Sequence, residues 1–430
     1  MPLRFLTAGE SHGPALTAIL EGLPAGLPVD RAALDAFMAR RQAGFGTGGR
    51  MRIERDAAVI SAGVLGGRTT GAPIALTIAN RDHVNWAGRD IPPMTVPRPG
   101  HADLSAAVKY GYRELRLGLE RASARETAAR VAVGGLCLQL LGAFGIEVGS
   151  YVVAIGGVSA DLPVPGGVVR RVAEDDDVAR GPDGDGESGA LAAVDAAAVR
   201  EAYRARFAAA EASDVRCPDP AAAEAMRAAI ADAARARDTL GGVFEVVALG
   251  LPPGLGSHVH WDRRLGGRLM AALGSIPSVK GVEIGPAWAN ARLPGTAVHD
   301  RFALRDGDDG EPEIARVGGR GGGLEGGITT GEPLVVRAAM KPISTTLTPL
   351  QSVDLATGEP ATTAYERSDI CAVPRAGVIG EAMVAFVLAY ALLEKLGGDD
   401  MDTLRARFAA LRRNRTADLP MDDVPWRFDP

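Results

Sequence analysis

Leu119-Glu120-Arg121-Ala122-Ser123-Ala124-Arg125-Glu126-Thr127-Ala128-Ala129-Arg130-Val131-Ala132-Val133-Gly134-Gly135 is the stretch around which the chain is organised. Ser123 and Glu126 have the S-x-x-E spacing of a capping box, which predicts a helix starting there. Ala128, Val131, Gly135, Leu138 and Leu141 continue at spacings of three and four, an apolar stripe for one helix face. The charge is out of place. Arg121 and Arg125 fall at the end where the helix dipole is already positive, and a cation there is unfavourable without an anion. Helix N-termini bind phosphate readily, and two arginines would strengthen such a site. The alternative is a solvated first turn with both guanidinium groups in water. This stretch alone leaves both readings open.

Bulk properties narrow the choice. The chain has 430 residues and a net charge of −6, so no global basic field points to nucleic acid, and any anion site must be a local cluster. Only four of the 47 basic residues are lysine (Lys109, Lys280, Lys341 and Lys395), so arginine abundance reflects composition and is a weak functional signal. Cys137, Cys217 and Cys371 are odd in number and lack metal-ligand spacing, which fits a reducing cytoplasm and no metal centre. No signal peptide is expected. The apolar run Met383–Leu393 is shorter than the roughly 20 residues needed to span a bilayer, so it predicts a buried helix and no membrane partner.

Upstream of the opening stretch, Pro97-Arg98-Pro99-Gly100-His101-Ala102-Asp103 is a stiff loop. Its prolines fix the backbone and Gly100 permits close approach, so Arg98 and His101 are held on a rigid support. Asp103 is placed to cap a following helix. Farther back, Gly9-Glu10-Ser11-His12-Gly13 sets a histidine in a turn between expected strands at Leu3–Leu6 and Leu16–Leu20. Asp30 predicts an N-cap for a helix over Arg31–Arg41. The glycines at 44, 46, 48 and 49 follow, and with Arg40, Arg41 and Arg50 they make a basic flap that lacks the Gly-Lys-Ser/Thr ending of a Walker motif. Strands are expected at Val59–Ser61 and Ile74–Ile78.

Downstream, strands are expected at Ile146–Val158, Val243–Leu249, Val279–Ile284 and Pro333–Met340, with helices over Asp195–Ala210, Pro220–Ala236 and Leu265–Leu273. Glu174–Ser188 and Arg305–Glu313 read as solvated acidic insertions. Lys341-Pro342-Ile343-Ser344-Thr345 puts a cation and hydroxyls after a strand, which suits phosphate. Arg367–Arg375 leads into a long helix from about Ala376 to Leu396. Residues 1–412 form one domain on this reading, and 413–430 form a tail. Paired strands and alanine-rich helices, without a βαβ series or a Rossmann fingerprint, predict an α+β layered fold.

Gly9–Gly13, Arg98–Asp103, Glu120–Val131, Lys341–Thr345 and Arg367–Arg375 stand in the order and spacing of chorismate synthases. The chain resembles that family over essentially residues 1–400, and most resembles its actinobacterial form. The resemblance implies a β-α-β sandwich of antiparallel sheets around helices, assembled as a homotetramer. It implies conversion of 5-enolpyruvylshikimate 3-phosphate to chorismate and phosphate, a 1,4-elimination that uses reduced FMN without net redox change. NADPH would enter only as an indirect reductant. No flavin-reductase module is visible, so an external reductase is the expected partner.

Residue by residue, the resemblance makes His12 the proton donor to the departing phosphate. His101 falls beside flavin N1, and Asp369 works with flavin N5 in removing the C6 proton. Ser11, Arg41, Arg98 and Arg125 match substrate contacts. A second flap arginine of the family is replaced here by Thr47, with Arg50 as its stand-in. FMN contacts fall on Arg121, Ala122, Ser123, Gly326, Lys341, Pro342, Ile343, Ser344, Thr345 and Arg367, the last also facing substrate. Pro277 and Ser278 replace the family's usual small pair and would contact FMN through backbone or hydroxyl. This makes physical sense, because an acidic chain that binds two carboxylates and two phosphates must gather its cations in one cleft. Two other readings compete: an FMN-dependent oxidoreductase, and a non-catalytic FMN- or polyanion-binding protein.

Overall fold

Alternating apolar residues build the first sheet. Strands β1 (Arg4–Ala8), β2 (Ala15–Glu21), β3 (Ala58–Ala62) and β4 (Ile74–Ala79) pair antiparallel in the order β1-β2-β4-β3. Leu16, Ala18 and Leu20 oppose Ile78, Leu76 and Ile74, and all six are buried, so one face of the sheet is core. The structure is a computed structural model and describes residues 3–48, 53–165, 195–307, 310–366 and 368–428. The expected insertion at 174–188, Arg50 and Arg367 lie outside the described residues.

The second sheet runs β8-β9-β7-β5-β6, antiparallel throughout, from β5 (Glu147–Ile155), β6 (Val158–Ser159), β7 (Gly242–Leu249), β8 (Val279–Ile284) and β9 (Leu334–Met340). The helices used below are, in chain order, α1 (Arg31–Gln42), α2 (Asp103–Tyr110), α3 (Arg116–Ala122), α4 (Thr127–Gly142), α5 (Ala196–Ala212), α6 (Pro220–Arg235), α7 (Leu265–Gly274) and α8 (Val373–Leu396). Helix α4 packs on β2 and β4 of the first sheet, and α8 packs on α4 and on β5 and β7 of the second. Successive β5 residues point to opposite faces: Gly149 meets Phe207 of α5, while Ser150 donates to Glu381 of α8 at 2.6 Å. The layers are therefore sheet, helices, sheet, with α5 outside, and the expected α+β sandwich is observed.

Gly134 explains how closely the two central helices cross. A Cβ there would lie 2.3 Å from the Ala382 Cβ, so only glycine fits. Helix α8 is long and apolar enough to cross a membrane, but 89% of its apolar window is buried inside the protein. Asp30 caps α1 as expected, accepting the Ala33 N–H at 3.0 Å.

Three local expectations are corrected. Residues 119–122 end α3, and Ser123 starts a short 3-10 turn (Ala124–Glu126), so α4 begins only at Thr127. Glu126 does not close a capping box; it accepts from Thr7 Oγ1 at 2.8 Å and pairs with Arg130 at 2.9 Å. Arg305 and Glu313 lie on a β-hairpin, Arg301–Asp306 paired with Pro312–Val317, where the sequence suggested a solvated stretch without strands. The start of the 413–430 segment is tied down, since Asn414 accepts from Ile314 N–H at 2.8 Å and donates to Thr330 O at 2.8 Å.

Candidate active site

A cavity of about 390 Å³ opens where loops and element ends from both sheets converge on the α3–α4 junction. Its wall takes Ser11 and His12 from the turn after β1, Arg98 to Ala102 from the proline-stiffened loop, and Leu119 to Arg125 in part from the junction. Pro277, Ser278 and Lys280 come from the start of β8, Met340 to Thr345 in part from the end of β9, and Asp369 and Arg375 from the segment opening α8.

His12 is held from three sides. Its Nδ1 lies 2.6 Å from Glu120 Oε1, its backbone N–H donates to Glu120 Oε2 at 2.7 Å, and its ring packs against Trp86 with centroids 3.9 Å apart. Ser11 N–H donates to the Glu120 carbonyl at 3.0 Å, and Ser11 Oγ donates to Ser123 Oγ at 3.0 Å. Burial alone would push the Glu120 carboxyl up. The His12 ring and N–H, with the charges of His12 and Arg116, instead hold it below its ordinary value.

His101 has the same kind of backing, shared with an arginine. Its Nδ1 lies 2.5 Å from Asp103 Oδ1 and 3.0 Å from Arg98 Nη2. Asp103 also takes the Arg98 Nε at 2.8 Å and Nη2 at 2.9 Å, and Arg98 Nη1 donates to Thr345 Oγ1 at 3.1 Å. Asp103 is fully buried, which would raise its carboxyl, yet hydrogen bonds and charge from His101 and Arg98 hold it well below the usual carboxylate range. Asp103 therefore braces the loop, where the sequence suggested a helix cap.

The misplaced arginines of the opening stretch now have an explanation. Arg125 donates to Asp56 Oδ1 at 2.6 Å and Asn80 Oδ1 at 2.7 Å, and lies 3.7 Å from Glu54. Arg41 donates to the other Asp56 oxygen at 3.1 Å, to Thr127 Oγ1 at 3.0 Å and to Ala124 O at 3.0 Å. The anion at the helix start is thus the chain's own Asp56. Arg121 lies on the last turn of α3, where a cation suits the dipole, and it turns away to Thr7.

Asp369 Oδ1 accepts the Gly48 N–H at 2.6 Å, and its Oδ2 meets Arg375. A Cβ on Gly48 would stand 2.5 Å from Ser368 O, so glycine lets the residue 48 backbone approach this segment closely. Arg375 is buried; burial, with repulsion from Arg41, pushes its guanidinium down to about 9 despite the nearby Asp56.

Of the residues singled out from sequence, Ser11, His12, Arg41, Arg98, His101, Ala122, Ser123, Arg125, Pro277, Ser278, Lys341, Ile343, Ser344, Thr345 and Asp369 line this one cavity. Pro342 sits between two of them. Arg121 and Gly326 do not line it; Gly326 lies in the turn of a short hairpin near His258. Sequence reasoning missed Trp86, Lys280, Glu120, Asp103 and Arg375. Lys280 carried a usable signal: in a chain with four lysines, two line the cavity.

The comparisons with known proteins agree. The family model described as chorismate synthase matches residues 3–393. The chorismate synthase of Trichlorobacter lovleyi is 50% identical over 415 residues, covering 94% of this chain and 97% of that protein. The chorismate synthase of Moorella thermoacetica is also 50% identical, over 419 residues, covering 96% and 98%. A crystal structure of chorismate synthase superposes with a TM-score of 0.71 at 41% identity, covering 95% of this chain and 97% of that one. With its layered fold, its cation-lined cavity and a full-length match at this identity, the chain belongs to the chorismate synthase family.

Proposed function

We propose that the cavity performs the family's reaction through the residues described above. As a family member the chain is a lyase of the last step of the shikimate pathway, forming chorismate on the way to aromatic compounds. The observation that carries the assignment of this cavity is the convergence of two carboxylate-backed histidines with Arg98, Lys280 and Lys341 in one enclosed space.

The substrate, 5-enolpyruvylshikimate 3-phosphate, is anionic, and the cationic wall binds and orients it. His12 is bound at Nδ1, so Nε2 delivers the proton to the departing phosphate. Asp369, tied by the Gly48 N–H and Arg375, takes up the C6 proton. Ser11 and Ser123 supply hydroxyls. Arg41 and Arg125 act here mainly by bracing Asp56 and the helix start.

The remaining wall fits an anionic planar cofactor. Lys341, Ser278, Ser344 and Thr345 offer a cation and hydroxyls beside the apolar Leu119, Met340 and Ile343, and the volume falls within the roughly 300–1,000 Å³ of small-molecule sites. Reduced FMN, when bound, supplies electron density to the allylic centre as phosphate leaves. NADPH serves as an indirect reductant through an external flavin reductase. A homotetramer acting in the cytoplasm, with residues 1–412 as one domain, completes the proposal. The test is anaerobic incubation of the protein with photoreduced FMN and 5-enolpyruvylshikimate 3-phosphate. Chorismate and phosphate should form in equal amounts; no chorismate from flavin-loaded protein would refute the proposal.

A further inference from the structure

His12 is backed by the half-buried Glu120 carboxylate and His101 by the buried Asp103 carboxylate, and the two carboxylates are shared differently. Asp103 divides itself between His101 and the Arg98 guanidinium. Glu120 gives both oxygens to one residue: Oε1 to the His12 ring and Oε2 to the His12 backbone N–H. Its carbonyl holds the neighbouring Ser11 N–H as well. Helix α3 thereby fixes the turn and the ring together.

The other groups around His12 complete the picture. Trp86 packs against the ring, and Arg116 lies over that tryptophan, 5.5 Å from its centroid. Arg116 is 3.7 Å from Glu366, which lines the cavity. His83 Nδ1 contacts the His12 carbonyl at 2.8 Å, and Glu10 stands two residues back in the same turn. The Glu120 carboxylate meets the His12 ring at Nδ1. An imidazole has two nitrogens, and a carboxylate on Nδ1 selects the Nδ1–H form, leaving Nε2 for the cavity that His12 lines.

We propose that Glu120 is a positioning residue for the elimination: it fixes the orientation and tautomer of His12 and balances the positive charge while Nε2 carries the proton destined for the leaving phosphate. This rests on the reading of His12 as the proton donor. The proton balance is simple. His12 Nε2–H loses a proton to the phosphate oxygen as the C–O bond breaks, Nδ1–H stays on Glu120, and His12 is reprotonated from solvent before the next turnover.

The experiment compares wild type with Glu120→Gln, Glu120→Asp, His12→Gln and the Glu120→Gln/His12→Gln double variant. It measures kcat and KM for anaerobic phosphate release with photoreduced FMN between about pH 5 and pH 8, a range centred on the ordinary imidazole value of about 6.5. A second readout needs no substrate: ¹⁵N spectra of histidine-labelled protein, in which His12 is one of six imidazoles and is assigned by its loss in His12→Gln. Glu120→Gln should lower kcat about 10- to 100-fold with KM changed by less than about 3-fold, at or below the lower end of the roughly 10²–10⁴-fold contribution of a general acid. The His12 ¹⁵N pattern should lose its Nδ1–H signature, and Glu120→Asp should recover part of kcat. The double variant should be no slower than His12→Gln alone, because the two residues act as one unit.

Wild-type kcat in Glu120→Gln beside a crippled His12→Gln would overturn the proposal and leave the reading of His12 standing. Wild-type kcat in His12→Gln would overturn that reading and the catalytic part of the proposal with it. An unchanged ¹⁵N pattern in Glu120→Gln would overturn the tautomer assignment whatever the rates show.

Discussion

Arg125 carries a side chain only 2% exposed and donates to Asp56, Asn80 and Ala79, so its loss is first a loss of stability. Arg125→Ala removes a buried cation from Asp56 and Glu54, leaving Arg41 on Asp56, and should destabilise the protein by about 3–5 kcal/mol, read as a shift in urea midpoint. A midpoint like wild type would show that Asp56 and Glu54 are not balanced by this arginine. His101 is different. Asp103 remains paired with Arg98 when the imidazole is gone, so His101→Ala should leave the thermal midpoint nearly unchanged. Phosphate release should still slow by about 10²–10⁴-fold, and undiminished turnover would remove His101 from the mechanism. The neighbours of His12 and His101, glycines and prolines, suit a surface turn as well as a site, and it was the order of five segments along the chain that singled out both histidines. Their partners were not legible, because Glu120 lies 108 residues from His12, and such a pairing exists only after the sheet and helices pack.

The helices and strands themselves were largely legible, because period-two and period-3.6 patterns are local. The expected strands at Leu16–Leu20, Ile74–Ile78, Val243–Leu249 and Val279–Ile284 and the helix capped by Asp30 all form, within a residue or two at their ends. The start of α4 was misjudged because Glu126, placed to close a capping box, is claimed by Thr7 from a strand 119 residues away. The hairpin at 301–317 was hidden behind the acidic composition of its turn. The central helix pair offers a direct test of packing. Gly134→Val puts branched carbon where Ala382 already lies and should cost at least the roughly 1–3 kcal/mol of overpacking. A variant with a wild-type denaturation midpoint would mean that α4 and α8 cross less closely than described.

For the molecule as a whole, folding is coupled to acid through the cavity's own carboxylates. Glu120 and Asp103 are held below their ordinary values by His12 and by His101 with Arg98. A carboxyl depressed in the folded state contributes stability that is present above its unfolded value, and that stability is lost as pH falls through the folded one. Stability should therefore fall below about pH 4, the ordinary carboxylate range, and Asp103→Asn should flatten that slope in chemical unfolding measured against pH. An unaltered slope would mean that Asp103 titrates alike in both states. A chain of net charge −6 gathers Arg98, Lys280, Lys341 and two histidines in one space, a lining that suits a polyanion, and its family makes the chain a lyase. The most direct test is to count phosphate released anaerobically per flavin, following the flavin spectrum to the end of the reaction. Many phosphates per flavin, with the flavin still reduced at completion, is the expected result. One phosphate or fewer for each flavin oxidised would contradict a redox-neutral elimination in this cavity.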